Sequence, residues 1–150
     1  MDKRTKLIMS QVMLPSHANL AGNVHGGQIM MLMDTAAGAV ATKYAKSNVV
    51  TARVDELQFH LPILVGSLVT ITATIAFVGR SSMEVIVTVD VEDLEDEVEP
   101  QRALSSYFTM VALDKSGRPR AVKPLQIDTE EERLLYEEVK RRREAQRRLR

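Results

Sequence analysis

"NLAGNVHGGQIMMLMDTAAGAVA", residues 19–41, runs from a polar, glycine-rich loop into an almost unbroken apolar stretch that carries one acid, Asp34. Gly26 and Gly27 stand where a helix begins, and the helical pattern continues to about Lys43. Lys43 and Lys46 lie near its negative end, where the dipole favours cations. From Ile29 to Val40 no polar face stands out, and a helix that is apolar nearly all round is expected to be buried on every side. The small run Ala36, Ala37, Gly38, Ala39 fits a close approach by a sheet or second helix. Such packing would offset the roughly 1 kcal/mol that glycine costs in a helix interior.

A buried helix needs something to bury it, and the rest of the chain supplies strands. Residues 6–14 read as a strand ended by Pro15, and 49–59, 68–78, 83–93 and 101–113 as four more after the helix. In the second of these, Val69, Ile71, Ala73, Ile75 and Phe77 share one face and Thr70, Thr72 and Thr74 the other. In the third, Val85, Val87, Val89 and Val91 alternate with polar residues. Such alternation gives a sheet with one buried and one solvated face. The links "LPILVGS", "GRSS" and "DLEDEVEP" are too short for parallel crossovers, so neighbouring strands are antiparallel. The expected fold is α+β: one long central helix wrapped by a mostly antiparallel five-stranded sheet, with a further helix at the C-terminus.

That last helix begins near Asp128. Asp128 or Thr129 can cap it, with Glu131 or Glu132 three residues later closing a capping box. Its end is strongly basic, with seven basic residues against one acid over residues 140–150. It reads either as a solvated helix whose charges complement its own dipole or as a basic arm touching an anionic ligand or another subunit. The division of the chain is therefore 1–127 for the helix-and-sheet domain and 128–150 for a charged helical tail.

Composition narrows the partners. The chain has 150 residues, 45% of them hydrophobic, and a formal net charge of zero. That is one ordinary globular domain with no global field to attract nucleic acid or membrane. With no cysteine there is neither a disulfide framework nor thiolate chemistry, which suits a reducing compartment. The start "MDKRTKLIMSQVML" lacks an apolar core and a cleavage site, so no signal peptide is expected. The run 29–41 is too short for a bilayer, which needs about 20 residues. We expect a cytoplasmic protein without membrane or nucleic-acid partners. The three histidines form no cluster, there is no His/Glu helix motif, and no metal is expected.

Asp34 then needs a reason, because burying a carboxylate costs several kcal/mol unless partners compensate. It lies too far into the helix to cap it. Either a backbone amide or a base such as Arg53 satisfies it, or its pocket is where a base is needed. The preceding loop bears on the choice. Free N–H groups at Gly26 and Gly27, at the positive end of the helix, form the kind of site that stabilises an oxyanion, and Asn19 and Asn23 can orient a water or a carbonyl. Gly27 and Asp34 are about 10 Å apart along a helix rising about 1.5 Å per residue, too far to act on one small group. If both serve one site, two chains must build it.

In order along the chain, "N-x-x-G-N-V-H-G-G-x-I-M-x-x-M-D", "VVTARVDELQF", "GSLVTITA", "GRSSMEV" and "YFTMVALDKSGRPRAV" resemble the hotdog-fold acyl-CoA thioesterases, in particular the cytosolic acyl-CoA hydrolase branch. The likeness covers about residues 7–124 and leaves out the tail. It implies the hotdog fold, and dimers with edge-to-edge sheets, three of them forming a hexamer. It implies hydrolysis of acyl-CoA to CoA and a carboxylic acid, with CoA entering as part of the substrate and no separate cofactor. By similarity Asp34 is the catalytic carboxylate, as general base or nucleophile, and Asn19 its partner across the interface. The amides of Gly26 and Gly27 would polarise the thioester carbonyl.

Coenzyme A carries pyrophosphate and a 3′-phosphate, so cations are expected at the mouth of its site. Arg80 with Ser81 and Ser82 in the "GRSS" turn come first, then Arg118 or Arg120, although Arg80 could simply decorate a tight turn. His25 is either a hydrogen-bonding spacer of the substrate loop or a base. Paired with Asp34 it would suit a hotdog enoyl-thioester hydratase or dehydratase. A third reading is a non-catalytic acyl-CoA-binding regulator with a basic tail.

Overall fold

A computed structural model of the protein describes residues 5–149; the basic start at residues 1–4 and Arg150 at the end of the basic tail lie outside it. The elements run β1 (Lys6–Val12), a 3₁₀ turn (Pro15–His17), α1 (Gly26–Ala45), β2 (Asn48–Val54), β3 (Leu68–Val78), β4 (Ser82–Glu92), β5 (Gln101–Leu113) and α2 (Glu130–Arg148). The five strands form one antiparallel sheet in the order β1-β3-β4-β5-β2. The short links make β3, β4 and β5 a meander. β1 and β2 take its two edges, and α1, which joins them in sequence, crosses the face between them. This is the expected helix-and-sheet layout, a hotdog fold.

The core lies between α1 and the sheet. Ile29, Met33, Ala36, Ala37, Val40, Ala41 and Tyr44 repeat every three or four residues and are buried. They pack against alternate residues of the strands, among them Val69, Ile71, Val85, Val87, Leu104, Phe108 and Met110. Burying each large side chain of this set contributes about 1.5–3 kcal/mol. The Tyr44 hydroxyl donates to the carbonyls of Lys123 and Pro124, which ties the chain after β5 to the end of the helix.

The expectation that α1 is buried all round is corrected. Within one chain it buries one stripe, and Gly27, Met30, Met31, Asp34 and Thr35 on the opposite side are exposed. The sheet covers a single side of a helix, and the apolar residues on the other side mislead a reading that counts only hydrophobicity.

β2 also ends earlier than expected, at Val54 rather than residue 59. Its pairing with β5 shifts at Ala52: Thr51 lies opposite Met110, but Arg53 lies opposite Thr109. This is a β-bulge, two residues facing one. Thr51 therefore shares the inner face with Met110, and Arg53 the outer face with Thr109. A second bulge at Ala76 turns Phe77 outward opposite Glu84.

The outer face is not solvated throughout. α2 starts at Thr129, whose hydroxyl accepts from the Glu132 amide at 3.0 Å. Its Val139 is buried on the sheet with Ala76 and Phe77, and Leu135 and Tyr136 pack beside it. The Phe77 and Tyr136 rings are 4.8 Å apart, and Arg142 lies over Tyr107 at 4.1 Å. Arg142 and Gln146 also donate to Asp55. The tail is a largely exposed helix with an acidic first turn and a basic last turn, as its dipole favours, whose apolar stripe seats on the chain's own sheet with Arg142 and Arg143 over Tyr107 and Phe77. Among the described residues no helix is long and apolar enough to cross a membrane.

Candidate active site

The loop before α1 is a small hairpin held from both sides. Asn19 N–H donates to the Asn23 carbonyl at 2.7 Å, and Gly22 takes the left-handed conformation (φ 88°) that closes the turn. The Asn19 Oδ1 accepts from the amides of Ala21 and Asn23, at 2.9 and 3.2 Å. That oxygen shapes the loop, so Asn19 has only its side-chain NH₂ to offer a substrate. Val24 N–H donates to the Ile63 carbonyl, and Asn23 bridges to Leu64, which anchors the loop to the segment before β3.

His25 is the N-cap of α1, but its side chain makes no capping bond. Its carbonyl takes the amides of Gln28 and Ile29. The N–H groups of Gly26 and Gly27 have no backbone partner among the described residues, which leaves them aimed outward at the positive end of the helix. A methyl group on Gly26 would meet the Phe59 ring at 3.5 Å, whereas Gly27 faces open space. The half-exposed Phe59 ring therefore walls one side of the amide pair.

Asp34 lies two turns further on, on the same open face. Thr51 donates its hydroxyl to Asp34 Oδ1 at 2.6 Å, across from the edge strand. Thr51 is the residue that sequence reasoning missed. Regular alternation would give Asp34 a partner such as Arg53, but the bulge turns that guanidinium to the outer face, where it pairs with Asp55 at 3.1 Å. Asp34 is exposed in the single chain rather than enclosed, with Met30 and Met31 as exposed apolar neighbours on α1. Exposed apolar surface around a carboxylate on an open sheet edge marks an interaction face.

The remaining candidates lie elsewhere. Arg80 is exposed on the β3–β4 turn, with its carbonyl bound by Val122 N–H, and the Ser81 carbonyl takes the Ala112 amide. Ser82 is buried on the outer face under α2, apart from Asp34. Arg118 is exposed in a turn closed by Asp114, whose Oδ1 accepts from the Ser116 and Arg118 amides. His25 and Asp34 are nine residues apart on an unbroken helix, about 13 Å along its axis, so a His–acid pair does not form within one chain.

A family profile described as "Thioesterase superfamily" matches residues 21–98, from the loop before α1 to the link after β4. The chain belongs to that superfamily. It is 43% identical over 129 residues to the cytosolic acyl coenzyme A thioester hydrolase of Mus musculus, which takes in 85% of this chain and 34% of that one. The chain thus spans about a third of the length of the mammalian relatives it matches. An apo hexameric acyl-CoA thioesterase superposes on this superfamily member with a TM-score of 0.91 at 35% identity, over 97% of this chain and 93% of that one. The acyl-CoA hydrolase of Staphylococcus aureus, solved in complex with butyryl coenzyme A, coenzyme A and coenzyme A disulfide, gives 0.84 at 32% identity over 95% and 88%. That hydrolase has also been solved as Asp→Ala, Asn→Ala and Thr→Ala variants.

Proposed function

We propose that the chain hydrolyses acyl-CoA thioesters to CoA and a carboxylic acid, with two copies building each site. The observation that carries this reading is Asp34 on the open face of α1, oriented by the Thr51 hydroxyl and two turns beyond the uncapped amides of Gly26 and Gly27. The three residues substituted in the S. aureus hydrolase are spaced along its chain as Asn19, Asp34 and Thr51 are along this one.

The helix-start amides of one copy receive the thioester carbonyl and stabilise its oxyanion. Asp34 of the other copy takes a proton from the attacking water and gives it to the CoA sulfur as the C–S bond breaks. Thr51 holds Oδ1, which leaves Oδ2 to face that water. The Asn19 NH₂ orients the water or the carbonyl. The second copy also covers Met30 and Met31, which removes the site from bulk water. Dimers of this kind assemble in threes into a hexamer, in the cytoplasm, with residues 1–127 carrying the reaction. CoA is the only cofactor-like group involved, and it arrives with the substrate.

The test is free-thiol release from a panel of acyl-CoAs, short to long, by wild type and Asp34→Asn. Turnover should fall by about 10²–10⁴-fold in the variant while CoA still binds. Near-normal hydrolysis by Asp34→Asn overturns the assignment.

A further inference from the structure

On the outer face, away from Asp34, α2 and the sheet enclose a cleft of about 230 Å³. Arg53 comes to it from β2, Thr109 from β5, Ser82 and Glu84 from β4, and Arg143 and Arg147 from α2. The bulge at Ala52 is what turns Arg53 into it.

Two features of this cleft are only partly accounted for by the fold, in which Arg143 lies over the Phe77 ring at 5.1 Å and is attracted by Glu84. Among the described residues, Ser82 Oγ is the one buried side-chain oxygen or nitrogen without a hydrogen-bond partner. Ser82 is only 8% exposed. An unmet buried hydroxyl is costly and usually has a partner, whether protein, water or ligand. Arg143 and Arg147 are one turn apart on the same face of α2, a like-charge spacing that destabilises a helix. Among the described ion pairs no carboxylate takes either of them. Burial first, and the Arg147 charge second, pull the Arg143 guanidinium below its ordinary range. Arg53 is partly balanced by Asp55. Three guanidinium groups and two hydroxyls thus surround a space that holds a single carboxylate, Glu84.

We propose that this cleft is a phosphoryl-anion site, with Arg143 and Arg147 as its charged donors, Ser82 as its buried neutral donor and Arg53 closing its β2 side. Arginine suits this ligand because its planar donors reach two phosphate oxygens at once. Glu84 opposes the anion, and its Oε2 is occupied by the Thr109 hydroxyl at 2.8 Å. The ligand is a phosphate group, borne either by the nucleotide end of coenzyme A or by a free phosphate compound. The cleft stands independently of the hydrolase reading; only the first of these two sources rests on it.

Calorimetric titration of the full chain with inorganic phosphate tests the site. Phosphate should bind the wild type, bind Arg147→Gln about tenfold more weakly through loss of one charge-assisted contact, and bind Glu84→Gln more tightly. Competition then separates the sources. Displacement of phosphate by CoA but not by pantetheine identifies the substrate's own phosphates; undisturbed phosphate binding at saturating CoA identifies a separate ligand. Either result supports the site. No phosphate binding to the wild type, or equal affinities in all three proteins, overturns it. Hydrolysis of acetyl-pantetheine, which carries no phosphate, reports on the thioesterase reading by itself, so failure there with phosphate binding intact counts only against that reading.

Discussion

Replacing Thr51 with valine removes one hydroxyl and keeps a β-branched side chain of nearly the same shape on an edge strand. The lost contact is the 2.6 Å bond to Asp34 Oδ1. A hydrogen bond to a charged group contributes about 1.5–3 kcal/mol, and both partners are exposed in the single chain, which puts this one at the lower end. At about 1.4 kcal/mol per factor of ten, kcat should fall about tenfold, and by at most about a hundredfold if the dimer seals the site. If Thr51 acts only by positioning Asp34, KM should stay near the wild-type value and the loss should fall on kcat. Stability should change by less than about 0.5 kcal/mol, as for surface positions in general. Steady-state thiol release with a short and a long acyl-CoA, beside a thermal melt, measures all of this. A kcat within about twofold of wild type, or a loss confined to KM, would refute the claim that Thr51 orients the reactive acid.

Other variants test the outer face. Val139→Ala should cost about 2 kcal/mol and lower the melting temperature by about 4–8 °C, since Val139 is buried between α2 and the sheet. A methyl group on Gly79 would run into Arg143 Nη1 and press on Ser82 Oγ. Gly79→Ala should therefore destabilise by up to about 1 kcal/mol, because the long arginine can swing aside, and its effect should shrink in an Arg143→Ala background, as a double-mutant cycle in a melt would show. Burial raises the Glu84 carboxyl above its ordinary value of 4.5 against the Thr109 hydrogen bond, so the folded protein holds this proton more tightly than the unfolded chain. The stability from that group is complete below about pH 4.5 and is lost as pH rises through the folded value. Glu84→Gln, which does not titrate, should gain melting temperature relative to wild type as pH rises from about 4.5 through the folded value. A difference that is flat in pH would contradict this.

Much of the architecture was legible in the residues because a sheet packed on one side writes its period into the chain. β3 was read to its ends, since Val69, Ile71, Ala73 and Ile75 are inward in strict alternation. β2 was not, because one extra residue at Ala52 breaks the period without any glycine or proline to announce it. The same slip hid Thr51 and made Arg53 look like the natural partner of Asp34. α1 misled in another way. Met30 and Met31 are as apolar as Ile29 and Met33, and composition cannot distinguish a face turned to the core from one left exposed. α2 was read as polar because its charges outnumber Leu135, Val139 and Tyr136, the few residues that seat it.

The kink at Ala52 also bears on how β2 can be used as an edge. A straight strand is the better template for a neighbour's backbone, but the same sequence laid out straight would bring Arg53 round to the helix side and park a cation against Asp34. A carboxylate paired with a guanidinium is a weaker base toward water. On the proposed dimer, assembly and turnover make opposite demands on seven residues, and the strand meets both by dividing them: residues 48–51 stay regular, Arg53 is turned to the outer face, and Val54 packs against the core. On the proposed reading, evolution toward a smoother seam between subunits would therefore proceed at the expense of the reaction beside it.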